Sequence, residues 1–168
     1  MEPRPSPRLL CHPVHLVSLG FGSGLSPFAP GTAGTLAAWL LYPLLCTLLP
    51  DTTSFLVLLL VCFVAGIFAT HHTGKVLGVP DHGAIVWDEM VAMWLVLFFT
   101  PSGIIWQAIA VVLFRLFDIL KPPPIRQADS HFKNGFGVML DDLLAAAYAL
   151  LALAALIRLY ALLPGTGT

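Results

Sequence analysis

Charge is scarce in this chain of 168 residues. Lys, Arg, Asp and Glu together make up 10% of it, whereas hydrophobic residues make up 58% and the mean hydropathy is +0.89. A soluble domain usually carries about a quarter charged residues. The low charge therefore excludes an ordinary soluble globular protein, and the lack of basic runs gives no support for nucleic-acid binding. We expect an integral membrane protein that contacts the lipid bilayer and no nucleic acid.

Cysteine is also rare, with Cys11, Cys46 and Cys62 spread along the chain. An odd number at wide spacing indicates neither a disulfide framework nor a zinc site. The first 18 residues contain four prolines and no long apolar run, which argues against a signal peptide. We predict a flexible cytosolic tail over residues 1–18, a single membrane-embedded domain over residues 19–163 and a short tail over residues 164–168.

Five apolar runs follow one another along the chain. They are Leu36–Leu49, Phe55–Thr70, Ile85–Thr100, Ile104–Leu120 and Leu143–Leu163. Since a membrane-crossing helix takes roughly 20 residues, the length allows about five crossings. The first run is short and contains Pro43, so a re-entrant first segment is an alternative to a full crossing. The pattern predicts an all-α, polytopic membrane helix bundle of about five apolar helices.

Basic residues favour one side of this predicted bundle. If every run crosses, the ends of runs two and four and the starts of runs three and five share a side. Seven of the eight Lys and Arg residues lie toward it: Arg4, Arg8, Lys75, Arg115, Lys121, Arg126 and Lys133. Only Arg158 lies near the other side. By the positive-inside rule the basic side is cytoplasmic, so we expect the polar site there.

Five of the nine carboxylates lie at or just inside the ends of apolar runs: Asp88, Glu89, Asp118, Asp141 and Asp142. An acid at the centre of a membrane helix costs roughly 2.5–3.5 kcal/mol, so such a group persists only if it is paired, hydrated or bound to a cation. Helix capping is the alternative for each acidic pair taken alone, because the first turn of a helix favours acids. If all five acids converge, their repulsion requires a multivalent cation. Hard oxygen ligands without cysteine then indicate Mg²⁺.

Basic and small residues near these acids suit an anionic substrate. Arg115, Asp118 and Lys121 recur at three-residue intervals, which places them on one stripe of a continuous helix. A local ion-pair ladder with snorkelling ends explains this stripe, and so does a site in which Asp118 binds metal and Lys121 binds phosphate. Gly31 and Thr32 precede the first run, where backbone N–H groups can hold phosphate at a helix N-terminus. An ordinary helix cap explains the same stretch.

Several local signatures of phosphate-ester hydrolysis are absent. No Cys is followed six residues later by Arg, no Asp-x-Asp pair occurs, and the signatures of histidine-dependent lipid phosphatases are missing. Metal-assisted attack by water is the route that remains. His82 and His131 lie in polar loops and are candidate general acids or bases.

The motifs taken together resemble one known family. In order they are Gly22-Ser23-Gly24-Leu25-Ser26-Pro27, Pro30-Gly31-Thr32, Asp81-His82-Gly83, Val86-Trp87-Asp88-Glu89, Phe114-Arg115, Phe117-Asp118, Lys121-Pro122, Pro124-Ile125-Arg126, Gly135, Gly137 and Asp141-Asp142. From about Leu19 to Ala147 their order and spacing closely resemble phosphatidylglycerophosphatase A. That bacterial inner-membrane enzyme removes the terminal phosphate of phosphatidylglycerophosphate. Ala84 and Pro80 are minor departures from the family pattern.

The resemblance implies a magnesium-dependent lipid phosphatase at the cytoplasmic leaflet of a bacterial inner membrane. Its expected metal ligands are Asp88, Glu89, Asp118, Asp141 and Asp142, with Asp81 and Asp129 as second-tier candidates. The expected catalytic residues are Glu89, Asp118 and Asp142. Our own hypothesis is that Glu89 or Asp142 acts as the general base. Lys121, Arg126, Arg115, Gly31 and Thr32 are the expected substrate-binding residues.

Two other functions stay open from the residues alone. A small cation or proton transporter would use the interfacial acids to pass ions, although no ladder of ionisable residues crosses the middle of the runs. A lipid-binding membrane protein without turnover is the second alternative.

Overall fold

The computed structural model of the chain describes residues 5–162, except for the side chains of residues 128–130. Within that range the secondary structure is helical, without strands. The α-helices are α1 (Pro13–Ser18), α2 (Pro30–Leu48), α3 (Thr52–Leu77), α4 (Trp87–Phe99), α5 (Ile104–Leu120), α6 (Ile125–His131) and α7 (Gly135–Ala161). Two 3₁₀ segments, Pro7–Cys11 and Gly20–Leu25, flank α1.

Three helices in the described part of the chain are long and apolar enough to cross a membrane. They are α2, α3 and α7, with 19, 26 and 27 residues. Helices α4 and α5 have 13 and 17 residues, fewer than the roughly 20 that a full crossing takes. The predicted all-helical architecture is therefore confirmed, whereas the number of about five crossings stays a prediction.

Helix α4 is the central helix of the bundle. Nine of its 13 residues are buried, and it packs against α2, α3, α5 and α7. Ala38 of α2 and Ala145 of α7 are fully buried in the same core. Small residues at such contacts let helix backbones approach closely. The close approach of α2 and α4 lets Trp94 Nε1 donate a hydrogen bond to the Ala38 carbonyl oxygen at 2.9 Å.

The start of α4 lies beside the middle of α3. Trp87, the first residue of α4, donates from Nε1 to the carbonyl oxygen of Cys62 at 3.0 Å. Beyond Cys62, α3 continues to Leu77 (62 to 77), which is about 22 Å at 1.5 Å per residue. The acids in the first turn of α4 therefore lie deep in the helix bundle and not level with the end of α3.

Residues 7–18, which we expected to be part of a flexible tail, instead form a 3₁₀ segment and α1. Helix α1 packs against α3, where His15 Nδ1 lies 2.9 Å from Thr73 Oγ1 and both residues are buried. At its end the carbonyl of Ser18 accepts a hydrogen bond from the Val86 N–H at 3.0 Å. The N-terminal segment thus anchors the loop that leads into α4. The predicted tail over residues 164–168 lies outside the described residues.

Helix α7 begins earlier than the hydropathy indicates. It starts at Gly135, and the Asn134 side chain caps it by accepting from the N–H groups of Phe136 and Gly137 at 3.0 and 3.1 Å. Asp141 and Asp142 therefore lie inside the helix, almost two turns from its start. The capping explanation is wrong for this pair, because the cap position belongs to Asn134.

Candidate active site

Acidic side chains from three helices meet at the centre of the bundle. Helix α4 supplies Asp88 and Glu89 from its first turn, α5 supplies Asp118 near its end, and α7 supplies Asp141 and Asp142. Four of these residues are buried, and the Glu89 side chain is only 12% exposed. Asp142 lies within electrostatic range of the other four. The tertiary structure thus brings together five carboxylates that are separated by up to 54 positions (88 to 142) in the sequence.

Arg115 joins two of these acids. Its Nη1 lies 2.8 Å from Glu89 Oε1 and 2.7 Å from Asp118 Oδ2, and the Arg115 side chain is 15% exposed. The Asp118 contact is the i,i+3 pair that the spacing on α5 predicts. The Glu89 contact connects α5 to α4. One guanidinium therefore balances two carboxylates from different helices in a nearly buried position.

Lys121 reaches a different acid. Helix α5 ends at Leu120, and Lys121 follows it in a left-handed conformation (φ 42°). Its Nζ lies 2.6 Å from Asp141 Oδ2 of α7. The predicted stripe along one continuous helix is therefore wrong at its last member, because Lys121 lies beyond the helix end and Pro122 prevents continuation. This geometry directs the ammonium group toward α7.

Buried carboxylate oxygens in this cluster lack a hydrogen-bond partner among the described residues. Asp88 Oδ1, Glu89 Oε2 and Asp142 Oδ2 are among these atoms. Burial of an unpaired carboxylate oxygen is costly, so such atoms indicate a missing ligand, ion or water. The oxygen-only donor set fits Mg²⁺ chemically. In the described part of the chain, however, no three His, Cys, Asp or Glu side chains are already arranged to hold a metal ion.

The first turn of α2 lies directly against the acid–arginine pair. Gly31 is buried, and a Cβ at this position would overlap Glu89 Oε1 and lie 2.9 Å from Arg115 Nη2. Thr32 follows in the same turn and is partly buried. Backbone N–H groups in the first turn of a helix lack partners within that helix. Gly31 and Thr32 are therefore next to the acids, and their contact with phosphate stays a prediction.

Arg126 and the second-tier acids are placed differently. Arg126 is exposed on α6. Asp81 is exposed but lies within electrostatic range of Asp88 and Glu89. The side chain of Asp129 lies outside the described residues. The structure thus gives no buried contact that joins Arg126 to the five acids.

The histidines form a separate group. His12, His15 and His72 pack together with ring centroids 5.0 to 6.3 Å apart. Burial, together with the neighbouring His12 and His72, lowers the pKa of His15. His82 is buried and its Nδ1 accepts from the Ala84 N–H at 3.1 Å, whereas His131 is exposed. A catalytic role for His82 or His131 stays a prediction.

Sequence reasoning missed the contribution of Gly34. A Cβ there would lie 2.7 Å from Val86 Cβ and 3.2 Å from Glu89 Oε2. Gly31 and Gly34 are three residues apart and so share a helix face. This spacing of small residues in an apolar helix is a signal for close helix packing and could have identified the contact with α4.

Comparison with known proteins assigns the sequence to a family. The phosphatidylglycerophosphatase A family matches residues 16–157, which include all five acids, Arg115 and Lys121. This chain belongs to the phosphatidylglycerophosphatase A family. The family assignment made from the motifs is therefore confirmed.

Named relatives cover most of the chain. A phosphatidylglycerophosphatase A from Haemophilus influenzae is 48% identical over 149 residues, which is 88% of this chain and 90% of the relative. The Escherichia coli protein of the same name is 44% identical over 138 residues, 81% of this chain and 78% of the relative. A Bacteroides thetaiotaomicron protein, provisionally named a phosphatidylinositol-3-phosphatase, is 42% identical over 146 residues, 83% of this chain and 90% of the relative. No solved structure matches the chain significantly.

Proposed function

We propose that this chain hydrolyses phosphatidylglycerophosphate to phosphatidylglycerol and inorganic phosphate, as a step of phospholipid synthesis. The observation that carries the proposal is the convergence of buried acids from α4, α5 and α7 with two basic side chains in a member of this family. A buried cluster of carboxylates and cationic side chains suits a phosphomonoester better than a neutral lipid. The carboxylates can bind a metal ion, and the cationic side chains can bind the phosphate anion.

The proposed cofactor is Mg²⁺, held by Asp88, Glu89, Asp118, Asp141 and Asp142. The unpartnered oxygens of Asp88, Glu89 and Asp142 support this choice. Asp118 and Asp141 are now paired with Arg115 and Lys121, so we expect these contacts to rearrange when metal and substrate bind. When bound, magnesium supplies charge neutralisation on the phosphate and activation of water.

The remaining side chains have distinct proposed roles. Arg115 positions Glu89 and Asp118, while Lys121 and Arg126 bind phosphate oxygens together with the first turn of α2. Either Glu89 or Asp142 accepts the proton of the attacking water through its unpartnered oxygen. The phosphorus–oxygen bond to the headgroup glycerol then breaks in line, and the glycerol oxygen takes up a proton.

The proposed setting is the cytoplasmic face of a bacterial inner membrane. Helices α2, α3 and α7 cross the bilayer, and the shorter α4 and α5 complete the predicted bundle of about five helices. The basic residues near the site support a cytoplasmic orientation. Residues 19–163 form the proposed single catalytic domain.

Phosphate release by the purified full-length chain tests the proposal. We expect turnover of phosphatidylglycerophosphate with Mg²⁺, loss on chelation and recovery when Mg²⁺ is restored. Glu89→Gln and Asp118→Asn should each lower turnover by about 100-fold or more, the usual cost of losing a group that stabilises charge in the transition state.

The matched control is Asp51→Asn. Asp51 is exposed and caps α3 by accepting from the Ser54 N–H at 2.8 Å, and asparagine is an equally good cap. This variant should keep full activity. Full turnover by both site variants would contradict the assigned site, and turnover in chelator would contradict the role of metal. Ion flux through vesicles without phosphate release would favour a transporter, and lipid binding without either would favour a non-catalytic protein.

A further inference from the structure

An apolar cavity of about 280 Å³ lies between α3, α4 and α7, next to the acidic cluster. Its walls include Leu60 and Phe63 of α3, Ala92 and Leu95 of α4, and Met139 and Leu143 of α7. Asp88 is the one charged residue that lines it. The cavity thus combines a hydrocarbon-like wall with a single acid from the candidate active site.

Asp88 lies at the boundary between this cavity and the site. Adjacent residues on a helix point about 100° apart, so Asp88 and Glu89 face different neighbours. Glu89 faces Arg115 and Gly31, whereas Asp88 faces the cavity and lies within electrostatic range of Asp141. Asp88 is 6% exposed, and its Oδ1 has no hydrogen-bond partner among the described residues. The apolar cavity therefore ends at an acid of the proposed metal site, which is the arrangement that fits a ligand with an apolar body and a polar head.

The mouth of the cavity opens toward the lipid side of the bundle. Leu60, which lines it, is 63% exposed on α3, and both α3 and α7 are long enough to cross a membrane. In the proposed membrane arrangement, hydrocarbon chains surround the bundle at this depth. A phospholipid matches this arrangement, because its polar headgroup is joined directly to apolar acyl chains.

We propose that this cavity receives one acyl chain of the phospholipid substrate, with Asp88 at the junction between chain and headgroup. The inference rests on the proposed function and deepens it. The substrate then enters sideways from the bilayer, its chain fills the space between α3, α4 and α7, and its headgroup extends toward Glu89, Arg115 and Lys121. Chain binding at this position makes the long-chain lipid a better substrate than its water-soluble headgroup.

Two substitutions in the cavity test this inference. Leu60→Trp narrows the mouth, and Ala92→Leu fills the interior, while neither residue belongs to the acidic cluster. The matched control is Leu151→Trp, since Leu151 is a leucine of α7 that is 70% exposed and does not line the cavity. Each protein is assayed with dioleoyl phosphatidylglycerophosphate and with the chain-free headgroup, glycerophosphoglycerol phosphate.

We expect the cavity variants to raise the KM for the dioleoyl lipid about tenfold, which corresponds to roughly two buried methylene groups, and to leave kcat nearly unchanged. Turnover of the chain-free compound should stay at the wild-type level. The Leu151→Trp protein should match the wild type with both substrates. A loss shared equally by both substrates, or no change in either cavity variant, would overturn the inference.

A binding measurement separates substrate chains from bulk lipid. Phosphatidylglycerol with a photoreactive diazirine in one chain should label peptides that contain residues 91–95, and unlabelled phosphatidylglycerophosphate should suppress this labelling. Equal suppression by phosphatidylcholine would mean that any lipid chain fills the cavity, which would refute the inference. If the wild type releases no phosphate from either substrate, the proposed function fails, whereas the labelling still reports on the cavity.

Discussion

Arg115 forms ion pairs with two nearly buried carboxylates of the site. Its Nη1 contacts both Glu89 and Asp118, at 2.8 and 2.7 Å, and all three side chains are at most 15% exposed. A buried ion pair adds little net stability, but removal of one partner leaves an uncompensated buried charge. The guanidinium therefore matters for the position of the acids and for the stability of the bundle.

Replacement of Arg115 by Met should lower the free energy of unfolding by about 3 kcal/mol, the usual cost of breaking a buried pair from one side. Arg115→Lys should restore part of the stability but not full activity, because an ammonium group lacks the planar fork of the guanidinium. Denaturation in mixed micelles, followed beside phosphate release, measures both effects. Arg158→Met, at an exposed position near the other end of α7, is the control and should change neither. Unaltered stability of Arg115→Met would contradict this role.

Gly31 gives a second prediction at the scale of one residue. Gly31→Ala introduces a Cβ that overlaps Glu89 Oε1, although alanine is otherwise the better helix residue. Because displacement of a catalytic group by about 1 Å can cost 100-fold, we expect at least a tenfold fall in kcat with unfolding little changed. Leu40→Ala, which alters an 80% exposed side chain of the same helix, should keep the wild-type kcat. A wild-type kcat for Gly31→Ala would contradict the proposed catalytic role of Glu89 at this position.

At the scale of elements, the starts of α4 and α7 decide where the acids lie. Helix α4 begins beside Cys62 in the middle of α3, so its first-turn acids enter the interior of the bundle. Helix α7 begins at Gly135 and carries Asp141 and Asp142 nearly two turns inside. Because α4 and α7 start at different positions along the bundle, the acids of the first turn of α4 and those of the second turn of α7 lie next to each other.

The cap of α7 provides the prediction at this scale. Asn134→Ala removes an acceptor for two backbone N–H groups and should cost about 1 kcal/mol of unfolding free energy. Asn134→Asp should restore it, because aspartate caps equally well. Thermal unfolding at fixed lipid content measures the change, and activity below the transition should stay near that of the wild type. Equal losses in the Ala and Asp variants would indicate that the side chain does more than cap α7.

For the whole molecule, the orientation in the membrane is the property to test. In a cysteine-free background, Asp51→Cys labels the exposed α2–α3 connection and Lys133→Cys labels the exposed segment before α7. A membrane-impermeant maleimide should modify residue 51 only from outside and residue 133 only from the cytoplasmic side. A permeant maleimide should label both and serves as the control. Modification of both positions from one side would exclude the proposed arrangement.

Much of this architecture could be predicted from local sequence. Apolar runs indicate membrane helices because hydropathy is summed along the chain, and the Arg115–Asp118 contact follows from the helical repeat. Motif order indicates the family, which the comparison confirms. Hydropathy misplaced the start of α7, since residues 135–142, which include two glycines and two acids, are helical all the same. Hydropathy also gave no indication of the helical structure of residues 7–18, because that structure depends on packing against α3.

By itself the sequence determined that the chain is a helical membrane protein of this family with acids at a few positions along it. Only the tertiary structure decided that Arg115 bridges Glu89 and Asp118, that Lys121 pairs with Asp141, and that Asp88 lines an apolar cavity. The physical reason is that hydropathy and helix periodicity are local properties of the chain. Partners on different helices depend on where each helix starts and how the helices pack, and those are properties of the assembled bundle.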